Sequence, residues 1–182
     1  MDPKLIVAIA AVVVVVLIIG WAVSRKQRTM KLRSRFGTEY DRAVRESGPQ
    51  RAEAALLERE KRVKEFPIRE LNTVERERFV TEWRIVQSRF VDDPQAAVAE
   101  ADLLVDRLMQ ARGYPTTDFE QRAADISVTH PQVVDNYRAA HQIAVRHREG
   151  QATTEDLRNA IIYYRSLFDD LLQTGAHKKE VA

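Results

Sequence analysis

Residues 72–90 read NTVERERFVTEWRIVQSRF. Phe79, Trp83, Val86 and Phe90 recur there at spacings of four, three and four, which places them on one face of an α-helix. Polar and charged residues fill most of the positions between them. Asn72 and Glu75 have the spacing of a capping box, in which each side chain satisfies a backbone N–H that the first helical turn leaves free. A helix with one apolar stripe needs a partner, and the neighbouring sequence offers more of the same kind.

Downstream, Asp93-Pro94 supplies an N-cap with proline at the first helical position. The face that follows is Ala97, Ala101, Leu104 and Leu108, closed by Gly113-Tyr114-Pro115. Thr117 and Glu120 read as a capping box for a short helix through Ile126. Pro131 opens another, with Val133, Val134, Tyr137, Ala140 and Ala144 inward and Gly150 as its stop. Thr153 or Thr154 caps the last helix, whose stripe is Leu157, Ile161, Tyr164, Phe168 and Leu171, with Gly175 after it. Upstream, the spacing predicts a helix over Thr38–Ser47 ending at Gly48-Pro49. A charged one follows over 50–65, ended by Pro67, with a thin stripe of Ala52, Leu56, Val63 and Phe66. No stretch alternates apolar and polar residues long enough for a strand, and no repeat of solenoid period occurs.

The start of the chain is of another kind. LIVAIAAVVVVVLIIGWAV, residues 5–23, carries no charge. At 1.5 Å per residue it spans about 28 Å, near the thickness of a bilayer's hydrocarbon core. Trp21 stands at its end, where an amphipathic ring favours the headgroup layer. Arg25, Lys26, Arg28, Lys31, Arg33 and Arg35 follow with no acid among them. The competing reading is a cleaved signal peptide with Ala22-Val23-Ser24 as the processing site. The weak charge before the run, Lys4 offset by Asp2, and the length of the run favour a retained anchor. Basic residues beside a span stay cytoplasmic, so the N-terminal side is expected outside and the domain in the cytoplasm. The same cluster suits anionic lipid, at about 1 kcal/mol per residue near the surface. From Phe36 onward acids outnumber Lys and Arg by about four, so the rest of the chain is mildly acidic.

The search for chemistry returns absences. There is no cysteine, which excludes disulfides and thiolate catalysis. His130, His141, His147 and His177 lack ligand spacing, and no Glu-x-x-His pair of the di-iron type is present. Asp102 with Asp106, and Asp169 with Asp170, read as solvated faces rather than an acid/base dyad. No phosphate-cradling glycine loop or Gly-x-Ser-x-Gly elbow occurs. Nucleic-acid binding is disfavoured, because outside the cluster at 25–35 basic residues alternate with acids. Trp83, Tyr163 and Tyr164 read as core rather than base-stacking platforms.

The runs LRSRFGTEYDRAV, RERFVTEWRIVQSRFVDDPQAAVAEADLLVDRLMQARGYP and HPQVVDNYRAAH resemble a family of uncharacterised bacterial proteins. In that family a similar helical domain stands behind an N-terminal hydrophobic segment. The resemblance covers about residues 32–172 and implies an all-α domain at a bacterial inner membrane. It implies no activity, cofactor or catalytic residue.

The expectation is therefore an all-α chain in five parts: a transmembrane anchor at 1–23, a basic juxtamembrane segment at 24–36, charged helices and a linker at 37–71, a helical bundle at 72–174, and a tail at 175–182. The membrane-interface residues are Trp21, Arg25, Lys26, Arg28, Lys31, Arg33 and Arg35. The function expected by elimination is non-enzymatic: protein interaction or scaffolding, with membrane lipid and another protein or a second copy as partners, and no cofactor or nucleic acid. The alternatives are a bundle that binds a small ligand or metal, and a lipid-surface sensor.

Overall fold

The computed structural model describes residues 3–115 and 117–173, with 3–15 described as backbone only. Gly175, His177 and the tail lie outside the described residues. The fold is all-α: Pro3–Phe36 (α1), Thr38–Ser47 (α2), Pro49–Lys64 (α3), Thr73–Asp92 (α4), Pro94–Ala111 (α5), Phe119–Thr129 (α6), Val134–Arg148 (α7) and Thr154–Gln173 (α8), with no strand among the described residues.

The caps explain most of the boundaries. Asn72 accepts from the Glu75 N–H at 2.9 Å, and the Glu75 carboxylate accepts from the Asn72 N–H at 3.0 Å, completing the capping box of α4. Asp93 caps α5 through the Ala96 N–H at 3.0 Å, with Pro94 behind it. Two starts differ from expectation. The cap of α6 is Asp118, which accepts from the Gln121 N–H at 3.0 Å, rather than Thr117. Aspartate at 118 already satisfies the third N–H of the helix, so the helix begins one residue later. After Pro131, a turn held by the Val133 N–H on the His130 carbonyl (3.2 Å) delays α7 to Val134.

Helices α4, α5, α7 and α8 form the main bundle, with α5 between α4 and α8, and α7 against α8. Phe79, Trp83 and Val86 of α4 are buried there with the whole expected faces of α5 and α8. Trp83 stacks on Phe168 at 4.6 Å between ring centroids. Phe90 and Ala144 are only partly buried, and Ile143 takes the inward place on α7 instead.

A second core lies beside the first. Leu32 and Phe36 from the end of α1 join Tyr40, Ala43, Ala52, Leu56, Val63 and Val128. Helices α2 and α3 form a hairpin on α1, and α6 joins this layer to the bundle. The charged helix α3 thus packs rather than projects. Its three buried residues, Ala52, Leu56 and Val63, are the thin stripe of the sequence. Phe66 and Ile68 touch both cores where the chain crosses between them.

That crossing is pinned. The Arg69 N–H donates to the Arg112 carbonyl and Arg112 Nε returns a bond to the Arg69 carbonyl, both at 2.9 Å. Arg112 also reaches the Leu171 carbonyl at the end of α8. Gly113 has φ +91°, and a Cβ there would stand 2.3 Å from the Pro67 carbonyl oxygen, so only glycine fits.

Candidate functional site

The basic segment is the C-terminal part of α1, continuous with the apolar run. Of that run, residues 5–15 fall where no side chain is described. Among the described residues, no helix is long and apolar enough to cross a membrane. Val16, Leu17, Ile18, Ile19, Trp21 and Val23 are all at least half exposed.

The six basic residues divide by their level along the helix. Arg33 pairs with Asp41 at 3.3 Å and Arg35 with Glu60 at 2.5 Å, so both are tied to the domain. Arg25, Lys26, Arg28 and Lys31 have no carboxylate within ion-pair distance among the described residues. The Arg25 guanidinium lies 5.4 Å from the Trp21 ring centroid. Trp21, Arg25, Arg28, Leu32 and Phe36 are spaced four, three, four and four, one stripe of the helix. Its lower end is buried core and its upper end carries unpaired charge.

A second charged cluster joins the two layers. Glu39, fully buried, accepts from Arg42 (3.0 Å), Arg59 (2.7 Å) and Arg138 (3.3 Å). Burial pushes its carboxyl up, and the three guanidinium groups, Arg42 and Arg138 foremost, outweigh that and hold it below its ordinary value. Arg138 of α7 also pairs with Glu120 at 2.8 Å, and Arg62 of α3 with buried Asp125 at 2.5 Å. The open groove above them, about 680 Å³, is lined by both signs of charge, including Glu46, Glu58 and Asp118. That mixture suits a clamp between layers better than a phosphate site.

The third cluster corrects the reading of Asp102 and Asp106 as a solvated face. Each is half-buried with its Oδ1 atom fully enclosed. They face Arg122 of α6, Tyr137 and His141 of α7, and Tyr164 of α8. Arg122 donates to Asp106 at 2.7 Å and to the Thr117 carbonyl at 3.2 Å. The Tyr137 and Tyr164 hydroxyls, buried, make no hydrogen bond of normal geometry among the described residues. Burial, with Asp102 nearby, pushes both phenols well up, so they remain protonated. Burial pushes His141 down, and its ring stacks on Phe119 at 3.6 Å. Neutral phenols and a neutral imidazole beside an Arg-paired carboxylate provide no activated nucleophile. The period of α5 puts Asp102 and Asp106 on one face; that this face turns inward depends on where α6 and α7 lie, which periodicity does not give.

The histidines are scattered. His130 ends α6 and reaches Asp170 of α8, which also accepts from Gln132. Burial would raise the Asp170 carboxyl, and His130 holds it lowered. Asp170 is therefore a structural partner rather than part of a solvated pair. His147 is half-buried near the end of α7. Among the described residues, no group of three or more His, Asp or Glu is arranged to hold a metal ion. The chain matches no family model, no curated protein and no solved structure.

Proposed function

We propose that this is a single-pass, membrane-anchored helical protein whose domain, at the cytoplasmic face of a bacterial inner membrane, binds another protein or a second copy of itself without catalysing a reaction. The observation that carries the reading is the continuity of α1. Its 34 residues extend about 51 Å, from the apolar run through the unpaired basic residues to Leu32 and Phe36 in the second core. A domain joined to an anchor in this way is held against the surface, which raises its effective concentration toward neighbours there.

Helices α4 and α5 carry an exposed apolar pair that could meet a partner. Ile85 of α4 and Leu103 of α5 are more than half exposed and line a shallow groove of about 300 Å³, flanked by Glu82, Glu100 and Arg107. A photoreactive residue placed at Leu103 in cells is expected to give a discrete crosslinked band, to itself or to one partner. Free monomer alone from both Leu103 and Ile85 would overturn the interaction reading. Protease added to intact spheroplasts should spare the domain; digestion there would reverse the orientation.

A further inference from the structure

Between α1 and the start of α3 lies a cleft of about 490 Å³, lined by Trp21, Ser24, Arg25, Arg28, Gln50, Glu53 and Ala54. We propose that it is a site for the phosphoethanolamine headgroup of a phospholipid, an inference that rests on the membrane-anchored reading above.

The charges in the cleft are of two kinds. Arg25 and Arg28 lack carboxylate partners among the described residues, whereas Arg33 and Arg35 on the same helix are paired. Guanidinium groups match phosphate oxygens in geometry and charge. Opposite them, Glu53 is positioned by two hydroxyls that both donate to its Oε1 atom, Thr29 at 2.6 Å and Tyr40 at 3.1 Å. Its Oε2 atom makes no hydrogen bond among the described residues, and the side chain is half-buried. A purely anionic ligand would meet this carboxylate unfavourably. A ligand that carries a phosphate and a primary ammonium satisfies both sides, and the ammonium N–H groups give Glu53 charge-assisted bonds. A choline headgroup has no N–H to donate, and a glycerol headgroup has no cation.

The level is also right. Arg25 and Arg28 lie two and five residues past Val23, about 3–8 Å beyond the apolar run at 1.5 Å per residue. The headgroup layer of one leaflet is about 5–8 Å deep. Gln50 and Glu53 share the cleft with them, so the start of α3 stands in that layer.

The test uses the full chain in detergent, given an equimolar mixture of ethanolamine, choline and glycerol phospholipids with identical acyl chains, with retained lipid read by native mass spectrometry. The ethanolamine lipid should be retained about tenfold over either competitor, as one charge-assisted contact implies. Glu53→Gln keeps an acceptor for Thr29 and Tyr40, so its circular dichroism should be unchanged while the preference collapses. Arg25→Gln with Arg28→Gln should weaken all three lipids. Equal retention, a preference for the glycerol lipid, or an ethanolamine preference that survives Glu53→Gln would each overturn the proposal. Displacement by soluble phosphoethanolamine at the lipid's own concentration would overturn the assignment to a lipid. Flotation with vesicles separates the two readings: a chain that fails to float removes the anchor and the headgroup site together, and one that floats without preference removes only the site.

Discussion

At the scale of single residues, the buried charges carry the greatest consequence. Glu39 has three guanidinium partners and no exposure, so removing its charge leaves Arg42, Arg59 and Arg138 facing one another. Glu39→Gln is expected to cost about 3 kcal/mol, the lower end for breaking a buried pair, because Arg42 and Arg59 retain some contact with solvent. The pH dependence follows from the lowered carboxyl. Its stabilisation is fully present above the ordinary value of 4.5 and is lost as pH falls through the depressed folded value. Urea denaturation at pH 7 and at successively lower pH should show wild type losing stability below about 4.5 more steeply than Glu39→Gln. Equal slopes would mean that Glu39 is not the group responsible. The identity of Glu39 as an acid near Arg42 is visible in the sequence. Its meeting with Arg138, 99 residues away, is not, because no local period links them.

At the scale of elements, each helix is stabilised by a stripe that its neighbour covers. The α2–α3 hairpin depends on few residues, since α3 buries only Ala52, Leu56 and Val63. Leu56→Ala should destabilise by about 3 kcal/mol through lost burial and the cavity left behind. The loss should be local: amide exchange should quicken over 38–64 while α5 and α8, in the other core, keep their protection. Uniform quickening would show that the two cores unfold as one. Most elements were legible beforehand, because capping residues and stripes act within one or two turns. Asn72 with Glu75 and Asp93-Pro94 marked their starts correctly. The starts of α6 and α7 were missed where two caps competed, Thr117 against Asp118, and where Pro131 served a turn instead of a first helical residue.

At the scale of the whole molecule, the continuity of α1 couples the apolar run to the domain. Met30 lies between the two, and its side chain is exposed, so Met30→Pro breaks the helix without removing a core residue. Spin labels at Ser24 and Arg51 should report a narrow distance distribution in wild type and a broad one in Met30→Pro. Narrow distributions in both would show that packing of α1 against α3, rather than the helix itself, holds the upper half in place.

The sequence by itself determined the all-α class, nearly every helix and most of the inward stripes of α3, α4, α5, α7 and α8, because capping and periodicity are local. It also isolated the basic residues from 25 to 35 as a group. Only the tertiary structure decided how that group is divided. Arg33 and Arg35 are tied to Asp41 and Glu60, while Arg25 and Arg28 remain open beside Glu53. It likewise turned Asp102 and Asp106 inward and brought α3 onto α1. A charge has no period that names its partner, so which charges meet is set by how the helices pack.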